Sequence, residues 1–575
     1  MATYDLVIRN GLVIDGTGAK ERGADVAVKD GVIADVGKIT GTGTQEINAD
    51  GAIVAPGFVD IHAHYDGQAT WSSRLDPSSD HGVTTVVMGN CGVGFAPVHD
   101  SDHDRLIDLM EGVEDIPGVA LQEGLKWDWN SMPEFLDALE RIPHDIDFAA
   151  QVPHGALRLH VMGERGAARE AATADDIREM ARLAAEGIMA GALGFSTSRT
   201  LNHKSASGDL TPTLTAGEDE LVGIARAIGQ TGRGVLQLVS DFPREPDEFP
   251  MLRAMVEASG RPLSMTVVQA PNDPERFRET LAFISESNDL GLPMRAQVAP
   301  RPVGLVLGLD NTLHPFLTNP IFMERAAGKS AAQVAELMKS EEFRSAVLAH
   351  EDVEAAKARI GGQLIGRFER MYELGDPPNY EPGPNHSIGA RAKAAGVDPA
   401  AYAYDLLAAG RGKAMFYVTF LNYAWGNLDA VREMLAHPHA VPGLGDGGAH
   451  VGTICDGSFP TTLLSWWGRD RPEGRFELPY LIQRQCRDTA ATVGLLDRGV
   501  LAPGYRADIN IIDFENLGVR RPRVVHDLPA GGRRMLQRST GYLHTFLKGV
   551  ETFHNGEHTG ALPGELVRGA QSAPA

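Results

Sequence analysis

Cysteine is scarce: Cys91, Cys455 and Cys486 are the only three in 575 residues. Three thiols so far apart cannot form a disulfide framework. Positive charge is also short. Fifty-three Lys and Arg stand against 76 Asp and Glu, a formal net charge of −23. A surface that acidic repels phosphates, so no nucleic-acid partner is expected. No apolar run approaches the roughly 20 residues that cross a bilayer, and no membrane partner is expected either. The opening MATYDLVIRNG lacks a basic n-region and an apolar h-region. No secretory signal is read there, and the expected location is cytoplasmic. Hydrophobic residues at 43% and charged residues at 22% exclude a disordered chain. The length calls for one large domain with satellites, or two to three domains.

What is present follows two rhythms. Short β-like bursts separated by glycines fill the first 40 residues and return after residue 507, as in a small antiparallel sheet. Between them, strand-like and helix-like segments alternate. Candidate strands lie at 58–64, 83–88, 145–153, 192–198, 234–241, 262–269, 294–299 and 441–446. Eight is the number that closes a (β/α)8 barrel. Helices are expected between them, including one capped by Thr173 with Ile177, Met180, Leu183, Ala184 and Ile188 at helical spacing. The last two strands are about 140 residues apart, too far for a plain connection, so a mostly helical insertion is expected at about 303–440. The Ala-rich stretch 326–360 suits it.

The first barrel strand ends in His62-Ala63-His64. Residues two apart on a strand face one side, and the C-terminal ends of barrel strands form the active-site mouth. Two neutral imidazoles converging there suit a metal ion. By itself the pair also fits two incidental polar residues at a strand end. It has company, however: Pro56-Gly57 precedes it, Asp446 follows an apolar strand within Gly445-Asp446-Gly447-Gly448-Ala449-His450, and Gly89-Asn90-Cys91-Gly92 follows the second strand.

This order resembles the amidohydrolase superfamily, in which a metal barrel lies between two halves of a β-sandwich. Cys91 and Gly194-Phe195-Ser196-Thr197 narrow the resemblance to the N-acyl-D-amino-acid deacylase (D-aminoacylase-like) branch, which uses a cysteine after strand two. The resemblance implies an α/β fold: a TIM-type metal-dependent hydrolase barrel with a small β-sandwich from both chain ends. The expected division is sandwich at 1–56, barrel at 57–490, sandwich again at 491–568 and a flexible tail at 569–575. It further implies His62, His64, Cys91 and Asp446 as metal ligands, Asp446 as the catalytic acid and base, and zinc, about one ion per chain, with other divalent metals open. A thiolate suits zinc; a small buried hydrophobe is the alternative for Cys91, and the reading adopted for Cys455 and Cys486.

The chain departs from that family at strands five and six, where histidines that hold the tighter metal are expected. Gln237 and Gln269 are the nearest polar substitutes, and an amide oxygen is a poor zinc ligand. Asp241 would serve only with a shifted register. A site with one metal is therefore expected. Candidate substrate contacts are His154, Gln237, Gln269, Arg301 and His450, the last also a candidate extra ligand. His203 and Lys204 could close over the mouth. Arg295 and Arg301 are read as flanking the mouth end of strand seven, with a salt bridge the alternative for each. Trp466-Trp467 reads as a packed pair. The implied activity is hydrolysis of a non-peptide C–N bond in a small-molecule amide, such as an N-acyl-D-amino acid. A cyclic amide or lactone hydrolase and a non-catalytic barrel stay open, and a homo-oligomer is compatible with the sequence.

Overall fold

A computed structural model of the chain describes residues 2–350 and 362–575. Eight parallel strands form its centre: β1 (Phe58–Asp60), β2 (Val83–Met88), β3 (Asp147–Pro153), β4 (Gly194–Arg199), β5 (Val235–Ser240), β6 (Leu263–Thr266), β7 (Met294–Val298) and β8 (Ala440–Pro442). Each overlaps its expected segment and pairs with its neighbours in chain order. Every residue of β2, Val-Thr-Thr-Val-Val-Met, is buried. Such β-branched runs suit strands covered on both faces. The helix Ala174–Ala190 behind β4 starts at Thr173, whose side chain accepts from Asp176 N–H in a capping box.

The barrel seam between β1 and β8 closes just beyond the strand ends. His64 N–H donates to Gly447 O at 2.8 Å and Asp446 N–H donates to His62 O at 2.9 Å. Closure therefore brings the end of β1 against the end of β8 at the mouth. The floor of the barrel is apolar, with Val59, Val87, Ala149, Val235 and Val441 plugged from below by Leu495 and Val567.

Strands from both chain ends form one nine-stranded sheet. Its join is the antiparallel pairing of Ile53–Pro56 with Ile509–Ile512, and its core includes Leu6, Ile8, Val26, Ile511 and Phe546. A hairpin of Arg523–Leu528 and Gly532–Leu536, which the sequence did not announce, leaves this region. It docks near the mouth, where Met535 N–H donates to Val451 O at 2.6 Å.

Two features add to the expected layout. Among its described residues the insertion after β7 carries more helix than strand. It contains a three-stranded antiparallel sheet of Val303–Gly308, Met415–Leu421 and Met371–Glu373, packed with helices around Leu307, Phe322, Phe343, Tyr404 and Phe416. Within 326–360, helices occupy Ala331–Leu337 and Glu341–Leu348; residues 351–360 lie outside the described residues. The tail at 569–575 is also bonded rather than free. Gly569 N–H donates to Gly191 O at 2.8 Å, Gln571 N–H to Gly494 O at 2.9 Å, and Leu496 N–H to Gln571 O at 3.0 Å. Backbone partners across the barrel floor hold it where composition alone suggested fraying. No helix among the described residues is long and apolar enough to cross a membrane.

Candidate metal centre

Four side chains from three loop ends converge at the mouth. The ligand atoms of His62, His64 and Cys91 all lie within 4.8 Å of one another. His62 Nε2 is 3.3 Å from Cys91 Sγ and 3.4 Å from Asp446 Oδ1. His64 Nε2 is 3.7 Å from the same oxygen. Bonds of about 2.0–2.3 Å in a tetrahedral zinc site put ligand atoms roughly 3.3–3.8 Å apart, and the separations of 3.3, 3.4 and 3.7 Å fall in that range. Asp446 Oδ1 is buried without a hydrogen-bond donor, as are both oxygens of Glu114. Buried anionic oxygens need a positive partner, and the donor set of two imidazoles, a thiol and a carboxylate fits zinc.

The backbone bends to make this convergence. Cys91 sits at φ 56°, Asp446 at φ 44° and His450 at φ 47°. Left-handed backbone costs a non-glycine residue about 1–2 kcal/mol, and such outliers gather at functional sites. The glycines beside Cys91 serve the same turn. A Cβ on Gly89 would meet Gln151 O at 2.6 Å, and one on Gly92 would meet Thr197 Cα at 3.0 Å.

Gln297 on β7 sets the tautomer of His62. Its Nε2 donates to Ser264 Oγ at 2.9 Å, which turns Oε1 toward His62 Nδ1 at 2.7 Å. His62 then carries its proton on Nδ1 and offers the Nε2 lone pair to the centre. His64 Nδ1 faces Glu114 Oε1 at 3.3 Å. Burial opposes charge on both rings. It lowers His62 to about 4, whereas for His64 the Glu114 and Asp446 carboxylates and Cys91 outweigh burial and raise the pKa. Burial pushes the Cys91 thiol up to about 12, against the pull of His64. Burial also works against ionised Asp446, but His64 and His62 overcome it and hold the carboxyl well below its ordinary range.

The remaining candidates separate clearly. Gln237 stays at the centre, its Oε1 accepting from Cys91 N–H at 3.1 Å. Gln269 is turned away: its Oε1 accepts from Ala424 N–H at 2.9 Å, tying β6 to the insertion. Gln269 is thus directed away from the site, and the Gln237 oxygen, which keeps a second lone pair, is a poor zinc ligand beside an imidazole. Asp241 is exposed and bonds Thr200 Oγ1 and Leu201 N–H. His154 has both ring nitrogens engaged, by Thr197 Oγ1 and Glu220 Oε1, each at 2.8 Å, so it packs rather than faces substrate. Arg301 is fully buried against Asp456 Oδ1 at 2.8 Å and over the Tyr380 ring at 3.8 Å; its fork is not offered to a ligand. Arg295 bonds His439 Nδ1 at 2.7 Å and sits at the opposite end of β7 from the mouth. His450 Nε2 faces Glu114 Oε2 at 3.4 Å instead of joining the ligand atoms.

His203 borders the site after β4, with Nδ1 2.9 Å from Ser198 Oγ; burial, then His450 and His64, lower its pKa to about 3. Lys204 is exposed. Trp467 is fully buried, its Nε1 donating to Pro300 O at 2.6 Å. Glu114 and Gln297 were missed from the sequence. Glu114 ends an ordinary amphipathic helix and carried no signal, and Gln297 shares its strand with Arg295, so neither was singled out. A second three-residue cluster among the described residues that could take a metal, His544, Glu551 and His554, lies on paired strands of the nine-stranded sheet.

The chain is 27% identical over 586 residues to an N-acyl-D-aspartate deacylase of Alcaligenes xylosoxydans xylosoxydans, covering 100% of this chain and 97% of that one. A D-aminoacylase of the same organism is 30% identical over 290 residues, 49% of this chain and 54% of that one. The solved structure of an N-acyl-D-glutamate deacylase from Bordetella bronchiseptica, complexed with zinc and a phosphonate inhibitor, shares the fold at a TM-score of 0.63 and 23% identity, over 98% of this chain and 99% of that one. The model of the amidohydrolase family matches residues 45–557, and the chain therefore belongs to that family of metal-dependent hydrolases.

Proposed function

We propose that this hydrolase deacylates an N-acyl-D-amino acid or a related N-acyl compound at a single zinc ion held by His62, His64 and Asp446, with Cys91 near or bound, so that a coordination position stays open to water. The observation that carries this reading is the convergence of His62, His64 and Cys91 beside Asp446 Oδ1, which is buried without a hydrogen bond 3.4 and 3.7 Å from the two imidazole Nε2 atoms. The deacylase relative that spans the whole chain supports the substrate class. Zinc bound there would acidify a water toward a pKa of about 7 and polarise the acyl carbonyl. Asp446 is ionised at neutral pH and takes the proton of the attacking water. It then delivers that proton to the departing nitrogen, acting first as base and then as acid. Gln297 and Glu114 hold the two imidazoles in orientation.

The test begins with elemental analysis of protein purified without added metal, followed by a panel of N-acyl-D-amino acids, N-acyl-L-amino acids, a hydantoin and a lactone. About one zinc per chain and turnover of the N-acyl-D compounds are expected. Asp446→Asn should keep most of the metal and lose about 10²–10⁴-fold in kcat. Unchanged turnover would remove Asp446 from the chemistry. A chain that takes up no zinc and turns over nothing would be a non-catalytic barrel.

A further inference from the structure

Above the apolar floor, the barrel interior carries a neutral polar layer. Gln237 on β5 lies in register with Ser196 on β4 and Ser264 on β6. Both serines are engaged: Ser196 Oγ accepts from Gly92 N–H at 2.9 Å, and Ser264 Oγ accepts from Gln297 Nε2 at 2.9 Å. Gln237 is engaged at one end only. Its Oε1 accepts from Cys91 N–H, and a backbone N–H can be accepted only by the oxygen of the amide, so the orientation follows from chemistry. The other end, Nε2, is buried with no hydrogen-bond partner, in a residue only 2% exposed.

A buried amide donor without an acceptor is destabilising. The chain tolerates one here, beside the residue whose Sγ lies 3.3 Å from His62 Nε2. The position is also where the sequence departs from the deacylase pattern, which expects metal-binding histidines on strands five and six. The unpaired group is a donor, so what it awaits is an acceptor oxygen rather than a cation. We infer that Gln237 Nε2 donates a hydrogen bond to the acyl oxygen of the substrate and strengthens it as that oxygen gains negative charge. No bond to Gln237 forms or breaks, and no proton leaves it. A donor aimed where charge develops acts selectively on the transition state. This inference rests on the deacylase reading above.

Gln237→Met removes the donor, and Gln237→Glu removes it while keeping an acceptor for Cys91 N–H. Both are assayed as zinc-loaded full-length protein on the best N-acyl-D-amino acid of the panel. Binding of that substrate's phosphonate analogue, a tetrahedral mimic, and of the product D-amino acid is measured by calorimetry. Expected are unchanged metal content, kcat lower by about 10²–10³-fold in both variants, and KM within about threefold. The analogue should weaken by a similar factor while the product does not. Equal weakening of analogue and product, recovery of kcat in Gln237→Glu, or loss of zinc in Gln237→Met would overturn the role; the last would make Gln237 a support for Cys91. If Gln237→Met does not fold, Gln237→Glu decides. Wild-type protein that is active while both variants match it removes only the Gln237 role. Wild-type protein that neither turns over substrate nor binds the analogue removes the deacylase reading and this role with it.

Discussion

Replacing Gln297 with leucine leaves every proposed ligand in place and removes only what orients one of them. In the native site the order Ser264, Gln297, His62 fixes the proton on His62 Nδ1. Leucine leaves that N–H buried without an acceptor. The ring can relieve this by moving its proton to Nε2, which blocks the lone pair a cation needs. Partners of this kind are typically worth about 10–100-fold in metal affinity, equivalent to about 1.4–2.8 kcal/mol. Competition against a chromogenic zinc chelator measures the change directly, and a thermal melt of each protein checks that the barrel is intact. Gln297→Glu should keep or raise affinity, because a carboxylate accepts the same N–H more strongly. A Gln297→Leu protein that binds zinc within threefold of wild type would refute both the tautomer and the assignment of His62 as a ligand.

Zinc uptake at pH 7 should release about two protons per ion, one from Cys91 and one from His64. Burial pushes the thiol up to about 12 and Glu114 helps to raise His64 above its usual range, so both start protonated and affinity must rise with pH. Calorimetry in buffers of different ionisation enthalpy reads the count, and no buffer dependence would contradict the ligand set. Deleting residues 569–575 should lower the urea midpoint, since three backbone hydrogen bonds are lost, each worth about 1 kcal/mol. An unchanged midpoint would mean that the tail contributes nothing to the barrel floor.

The barrel was legible because short, largely buried strands such as Val-Thr-Thr-Val-Val-Met at 83–88 alternate with helix-spaced segments, one of them capped at Thr173. The cluster of His62, His64, Cys91 and Asp446 was legible because the two histidines stand two residues apart at a strand end, while Cys91 and Asp446 each follow a strand within a glycine-flanked turn. Distances across the mouth were not, since they depend on how the seam closes between residues far apart in sequence. Composition could not show that Glu114 would reach His64, because a helix-terminal glutamate is ordinarily solvated. Arg301 and His154 misled for the opposite reason. Their residue types suit substrate binding, but Asp456 and Glu220, distant in sequence, already satisfy them. The sheet within the insertion was hidden by the alanine-rich helices that lie between its strands.

Charge balance links the proposed ligands to the strand-five and strand-six departure. Two neutral imidazoles, one thiolate and one carboxylate carry two negative charges, which one divalent cation neutralises. Glu114 lies outside that set, opposite His64 and His450. A second divalent ion deeper in the barrel would need further anionic or imidazole donors. There the layer offers Ser196, Gln237 and Ser264, all neutral, and the Gln237 oxygen already accepts from Cys91 N–H. Uncompensated charge in such an enclosed space is costly. The same layer tolerates a transient negative oxygen on a substrate, because Gln237 Nε2 can point a donor at it. Neutral glutamines at these two positions thus suit the single-metal site proposed above and leave room for the substrate's own charge.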